Sequence, residues 1–448
     1  MIRSRAAAWL VPLALLVTAC GKPAPQPPAA SAYRTPQAEL DAAARLEATA
    51  RAMLEAGDVQ AAVQNMTRVM AIRRRLLGEA HSDTWSAAEL LTMAHLQKHD
   101  TAKAEATARW ELSLREKALG SASPQLLGPL ARLAEALEYR GEHASAEQAR
   151  RRALSIAEAA QPPRPADVAE AAVQLGNTLV TMCRPADAEP LFRRALQLHE
   201  SAEGAASPAS AAAWRGLADV QWLAKDDAAA QASLEKALAL LTPHESARPK
   251  EVMGALDQLA LMMATRGLAA EERRARERAA DLGIRSLPVF GPATMTAIGH
   301  LWDSLRAAND AAARQALLAR TGLTYVERLR PGRAPAPIFV RQAPRECAPR
   351  ETLPGSVPNA AAVVASFGPG FGRCYNRLLR KDPNVAGEIK AVARIEASGE
   401  VSRVHAFVPV GPLVPLAECV LDTIVVGRFS PPTKAPVGLN LPVRFRSE

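Results

Sequence analysis

The chain has 448 residues, 48% apolar, 23% charged and only 4% aromatic, with a formal net charge of +9 at pH 7. That length has room for two or three domains, and an aromatic-poor, alanine- and leucine-rich composition suits stacked helices better than a large sheet. Basic residues without interleaved aromatics do not make a single-strand binding surface, so nucleic acid is excluded as a partner.

Residues 1–20 have the form of an export signal peptide. Arg3 and Arg5 give a basic start, and Ala6 to Val17 an apolar core too short to be a stable membrane span. The segment ends Val17-Thr18-Ala19-Cys20. This resembles the bacterial lipobox, and the resemblance implies lipidation (palmitate among the acyl chains) of Cys20 as the mature N-terminus. Two or three acyl chains hold permanently where one does not. Gly21 carries no obvious inner-membrane retention signal. The expected location is the cell envelope, at the outer membrane and facing the periplasm. Residues 21–37, rich in Pro and Ala, make a tether with a reach of about 50 Å.

From residue 38 to 280 the chain repeats every 42 residues. Gly57, His99, Gly141, Cys183, Lys225 and Gly267 stand in one column. Five positions beyond the first five of these stand Ala62, Ala104, Ala146, Ala188 and Ala230. A leucine column runs Leu91, Leu133, Leu175, Leu217 and Leu259, each followed by a small residue: Thr92, Ala134, Gly176, Ala218 and Ala260. A later column holds Met70, Leu112, Leu154, Leu196 and Leu238. Such a period marks a solenoid of about six two-helix units. Small residues let the paired helices close at their crossing, and leucines fill the seams on either side.

These columns resemble the tetratricopeptide (TPR) pattern, as in Leu175, Gly176, Leu179, Ala188, Phe192 and Ala195 of the fourth unit. The long unit and the junction Leu77-Gly78-Glu79-Ala80-His81-Ser82-Asp83-Thr84 resemble kinesin-light-chain-type TPRs. The resemblance implies a protein-binding groove lined by the first helix of each unit. By register its candidates are Glu135, Glu138, Tyr139, Asn177, Arg215, Asp219 and Trp222. The paired asparagines of that family are absent; Glu89-Leu90, Ala131-Arg132, Val173-Gln174 and Arg215-Gly216 stand there. Arginines cluster at 73–75, 150–152, 193–194 and 273–274. They read either as a solvated helix face or as a binder of anionic cell-wall or lipopolysaccharide polymer.

Residues 281–330 read as a helical cap, with Trp302, Leu305, Ala312, Leu317 and Leu318 as its apolar face. Recurrent prolines make 331–358 a linker. Residues 359–448 predict a helix broken near Gly368-Pro369-Gly370 and a hairpin of Gly387 to Glu396 with Val401 to Val408. A helix over Pro415 to Val426 and a closing strand through Leu439, Leu441, Val443 and Phe445 complete them. That order is a small α+β unit with its sheet covered on one face.

The stretch resembles the TonB-like domain of myxobacterial AgmX/PglI-type gliding-motility proteins through Cys374-Tyr375, Pro383, Gly387, Gly399-Glu400-Val401, Cys419, Phe429, Pro431-Pro432 and Leu441-Pro442. Cys374 and Cys419 lie on its two helices and should bridge in an oxidising periplasm. Cys183 reads as a small packed residue; a bridge from it to Cys347 is an open alternative that the sequence does not support further. His95 and His99 have metal-compatible spacing, yet both occupy repeat columns, so packing explains them. No metal, cofactor or catalytic motif is expected, and a rival enzyme reading needs a pocket with converging ionisable groups in 281–330. The sequence therefore predicts a mainly α protein: a TPR-type α-solenoid followed by a small α+β TonB-like C-terminal domain. Its expected role is an envelope scaffold, with a membrane and an unidentified envelope protein as partners. The alternatives are the anionic-polymer binder and an array that only spaces the terminal domain.

Overall fold

The computed structural model describes residues 35–330 except 99, 205 and 290, then 360–380, 382, 387–431 and 437–445. The leader with Cys20, nearly all of the tether, His99, Cys347, the proline-rich stretch and Pro383 lie outside these residues. The described residues form two units, 35–305 and 306–330 with 360–445.

The first unit is a series of helical hairpins: α1 (Pro36–Ala56) with α2 (Val59–Leu77), α3 (Ser82–Gln97) with α4 (Thr101–Leu119), and α5 (Leu127–Arg140) with α6 (His143–Ala159). It continues with α7 (Pro165–Thr181) and α8 (Pro185–Glu203), α9 (Ser210–Leu223) and α10 (Asp227–Leu241), and α11 (Pro249–Thr265) and α12 (Ala269–Ser286). A further helix, α13 (Pro292–Ala307), follows. Local chemistry sets the ends. Proline opens α1, α7, α8 and α11, where its missing N–H costs nothing. Asp58 and Asp226 accept hydrogen bonds from the N–H groups of Ala61 and Ala229. Five of the turns within hairpins pass through a left-handed residue: Gly57, Gly141 and Gly267 do so with φ of 80°, 78° and 74°. Cys183 and Lys225 hold the same conformation at 61° and 64°, at a cost of roughly 1 kcal/mol that glycine avoids.

The repeat columns are buried as their side-chain sizes require. Ala62, Ala104, Ala146, Ala188 and Ala230 are all 0% exposed. Between α7, α8 and α9, Phe192 is also fully buried, and its ring fills the space left open by Gly176 and Gly216. The solenoid is thus held by a chain of apolar clusters, each made by neighbouring hairpins.

The second unit contains α14 (Ala311–Thr321), β1 (Leu323–Leu329), α15 (Ala360–Ser366), α16 (Gly368–Leu379), β2 (Gly387–Ile395), β3 (Val401–Pro409), α17 (Leu413–Val425) and β4 (Val437–Phe445). Its sheet has the order β1-β3-β2-β4 and is antiparallel throughout. Ile389, Ala391, Ala393 and Ile395 of β2 share one face with Val404, Ala406 and Val408 of β3. They pack on Phe371 and Tyr375 of α16 and Leu416, Val420 and Ile424 of α17.

Two expectations are corrected here. The helical reading of 281–330 fails at its end: Gly322 closes α14 with φ 64°, and the next seven residues pair with β3 from Leu323↔Pro409 to Leu329↔Arg403. Within that segment Ala312 is exposed, whereas Trp302 and Leu305 are buried in α13. The sheet is also not covered on one face alone. Ser402, Arg403, His405 and Phe407, on the opposite face of β3, are buried as well. Arg403 is ion-paired with Glu327 and donates to the Tyr325 hydroxyl at 2.7 Å; that pairing makes its burial tolerable.

Candidate functional site

The positions where the related repeats carry asparagine pairs do connected work in this chain. Glu89 of α3 accepts from Arg132 of α5 at 2.9 Å, Arg215 of α9 donates to Gln258 of α11 at 3.1 Å, and Asp257 of α11 meets His300 of α13 at 2.7 Å. Each pair is 43 residues apart, so the first position of one unit binds the second position of the next. Gln258 also donates to Asp219 at 2.6 Å. Complementary side chains here bridge successive first helices. Deeper in the second and third units, fully buried Glu111 receives Arg115 at 2.6 Å and Arg132 at 3.0 Å. Burial pushes its carboxyl above the usual range, against the pull of both guanidinium groups.

The groove candidates divide into two clusters. Glu135 and Glu138 are half-buried on α5 beside Tyr139, which is 39% exposed. Glu138 accepts from Thr178 of α7 at 2.6 Å and lies 3.7 Å from Arg150. Burial raises the Glu135 carboxyl and the Tyr139 hydroxyl, and adjacent carboxylates raise them further. Asn177 is exposed on α7. Arg215 and Asp219 are half-buried on α9 and joined through Gln258. Burial lowers the Arg215 pKa. Trp222 is half-buried and packs against the cluster of Ala218, Leu234 and Met262, so much of its ring serves the core.

The singled-out arginines are all ion-paired. Arg73 binds Glu47 at 2.6 Å, Arg74 pairs with Glu79 and Arg75 with Glu39. Arg150, Arg151 and Arg152 pair with Glu138, Glu147 and Glu116. Arg193 and Arg194 pair with Glu189 and Glu158, and Arg273 and Arg274 with Glu277 and Glu271. Arg75–Glu39 ties the two helices of the first hairpin, and Arg152–Glu116 and Arg194–Glu158 join one unit to the next, each across 36 residues.

Sequence reasoning missed a cavity of about 370 Å³ between α11, α12 and α13. Lys250, Asp257, Arg276 and His300 supply its polar wall, and Met253, Ala279, Pro292, Ala293 and Ala297 its apolar one. The complementary 43-residue offset from Asp257 to His300 was the one signal for it in the sequence.

Cys374 and Cys419 are joined, with Cα atoms 5.7 Å apart. Cys183 is disulfide-bonded too, which corrects its reading as merely a small packed residue. Its partner lies outside the described residues, since the other two described cysteines bond each other. His95 is buried 3.9 Å from Asp100, and burial pushes its pKa down to about 4.

Comparison with known proteins agrees with the repeat reading. Models of the tetratricopeptide repeat match residues 43–83 and 167–242. The chain therefore carries tetratricopeptide repeats. No curated protein matches it. Among solved structures, kinesin light chain nearly identical TPR-like repeats from Podosopora anserina are 19% identical. The match covers 46% of this chain and 98% of that one, with a TM-score of 0.40. BtubC (BKLC) from P. vanneervenii is 21% identical over 55% of this chain and 91% of that one, with a TM-score of 0.38.

Proposed function

We propose that this protein is an envelope lipoprotein that serves as an interaction scaffold. Lipid on Cys20 holds it at a membrane, the solenoid holds a protein partner, and the TonB-like terminal domain engages a second envelope component. The observation that carries the reading is the surface of successive first helices. On α5, α7 and α9 it presents Glu135, Glu138, Tyr139, Asn177, Arg215 and Asp219, of which Glu138, Arg215 and Asp219 are joined across units by side-chain bridges. Such an array offers area for an extended peptide. No described helix is long and apolar enough to cross a membrane, so attachment in this reading rests on Cys20.

The arginines favour the scaffold over the anionic-polymer reading, because every one of those clusters is neutralised within the chain. The His300–Asp257 pair does not by itself argue for an enzyme. It occupies the bridging positions of Glu89–Arg132.

Crosslinking in the native envelope tests the proposal, with partner recovery compared between wild type, Glu138→Lys with Asp219→Lys, and Cys20→Ser. The charge reversals should abolish recovery of the solenoid partner, and Cys20→Ser should release the protein from the membrane fraction. Deleting two central units with recovery unchanged would mean that the array is only a spacer.

A further inference from the structure

We infer that β1 is an autoinhibitory strand. It holds shut the outer edge of β3, and that edge takes an extended protein segment carrying an aromatic residue and, two positions on, an acid. The sheet order β1-β3-β2-β4 leaves β1 outermost on this side. Seven residue pairs join it to β3, and backbone bonds of 3.0 Å from Val410 to Gly322 and from Arg330 to Ser402 close the two ends.

Two features let β1 leave without unfolding the sheet. Of the buried side chains in the core shared by α16, α17 and β2 to β4, β1 supplies Val326 alone. It is also a separate piece of chain. Gly322, with φ 64°, turns it out of α14 and can serve as its pivot, and Arg330 and Ala360 are 30 positions apart in the sequence. The remaining side-chain ties are mostly polar. Glu327 pairs with buried Arg403 and with Arg306 at 2.9 Å, and the Tyr325 hydroxyl receives Arg403 at 2.7 Å. Arg328 reaches Asp422 of α17 at 2.6 Å. Water replaces such bonds when the strand departs, so each adds little to the hold.

An uncovered β3 edge presents backbone N–H and C=O groups, the Phe407 ring and the Arg403 guanidinium. Strand addition draws affinity from the backbone and selectivity from alternate side chains. Tyr325 and Glu327 show which ones fit: the Tyr325 ring lies 5.1 Å from that of Phe407, and the Glu327 carboxylate meets Arg403.

The inference gives a chemistry to the partner of the terminal unit in the scaffold reading, and takes from that reading only that a protein partner exists. Its test uses purified protein and a peptide, so a failure of envelope crosslinking leaves it standing. The probe is the fluorescein-labelled peptide Leu-Thr-Tyr-Val-Glu-Arg-Leu, the sequence of β1, with a second version in which the acid is glutamine. Thr324→Pro opens the edge, since Thr324 and Val408 form a hydrogen-bonded pair of the ladder and proline has no N–H to give. Leu323→Cys with Pro409→Cys closes it by a disulfide across a non-hydrogen-bonded pair. The peptide should bind Thr324→Pro at least ~10-fold more tightly than wild type, and should not bind the disulfide-closed form. Loss of the acid should weaken binding to Thr324→Pro by ~10-fold, the scale of one charge-assisted hydrogen bond. Hydrogen exchange should show residues 323–329 deprotected in Thr324→Pro while β2 and β4 keep wild-type protection. Exchange that rises in β2 and β4 together with β1 would overturn the proposal, because the sheet would then open only as one piece. So would a folded Thr324→Pro that binds the peptide no better than wild type, or equal binding of the two peptides.

Discussion

Replacing Gly216 by alanine sets two effects of known sign against each other. Glycine inside a helix costs about 0.5–1 kcal/mol relative to alanine, so propensity alone predicts that Gly216→Ala stabilises α9. Packing predicts the reverse. A Cβ at Gly216 would stand 2.2 Å from Cε1 and 2.4 Å from Cζ of Phe192. The ring has no room to retreat, because it is fully buried and a Cβ at Gly176 on its other side would lie only 2.7 Å away. Overpacking of this kind costs about 1–3 kcal/mol. The collision outweighs the propensity gain, and the net loss should be on the order of 1–2 kcal/mol. Urea unfolding followed by tryptophan fluorescence is a suitable assay. Trp85, Trp110, Trp214, Trp222 and Trp302 all belong to the solenoid unit, and only Trp9 lies elsewhere. A double-mutant cycle with Phe192→Leu supplies the control. With the ring gone, Gly216→Ala should become neutral or stabilising, a coupling of at least ~1 kcal/mol. If Gly216→Ala matches or exceeds wild-type stability while Phe192 is present, the ring is not wedged between these helices.

Other consequences are open to direct test. The Cys374–Cys419 bond closes a loop across 45 residues, so Cys374→Ala with Cys419→Ala should cost the terminal unit up to ~4 kcal/mol in urea unfolding; a loss below ~1 kcal/mol would show that the bond constrains little. Cys183 should appear as half of a disulfide in a non-reducing peptide map; an alkylated Cys183 in unreduced protein would refute this. His95 titrates near 4 in the folded chain because it is buried, whereas the unfolded chain takes its proton near 6.5. The unfolded state therefore binds more protons between those values, and stability falls as pH drops through them, by about 1.4 kcal/mol per unit at the steepest. Between pH 7 and 5, wild type should lose roughly 1–2 kcal/mol more than His95→Gln, and equal losses would contradict the buried neutral imidazole.

The repeat was legible because its signal is periodic and short-ranged. Alanine at 62, 104, 146, 188 and 230 has one physical reason at each position, and the structure gives one answer, complete burial. The helix–hairpin–helix–strand order of the terminal domain was legible from alternation alone. What was missed depends on partners distant in sequence. Leu323–Leu329 falls in the stretch read as a helical cap, and only pairing with Val401–Pro409 makes that segment a strand. The same holds for the groove. Register placed Glu138, Asn177 and Asp219 on first helices, but the bridges from Arg132 to Glu89 and from His300 to Asp257 link residues 43 apart. They came into view once the departures from the asparagine pattern were matched to one another across units. Cys183 was misread for a related reason. It occupies a turn column held by glycine in three other units, and nothing near it in sequence offers a second thiol.

The central claim is that the exposed side of the first helices, and not the second helices, meets the partner. A photocrosslinking amino acid at Asn177 on α7, compared with one at Arg193 on α8, tests this inside the cell; both positions are exposed. The account predicts a discrete protein adduct from position 177 and none from position 193. Adducts of the same size from both positions, or from 193 alone, would contradict it.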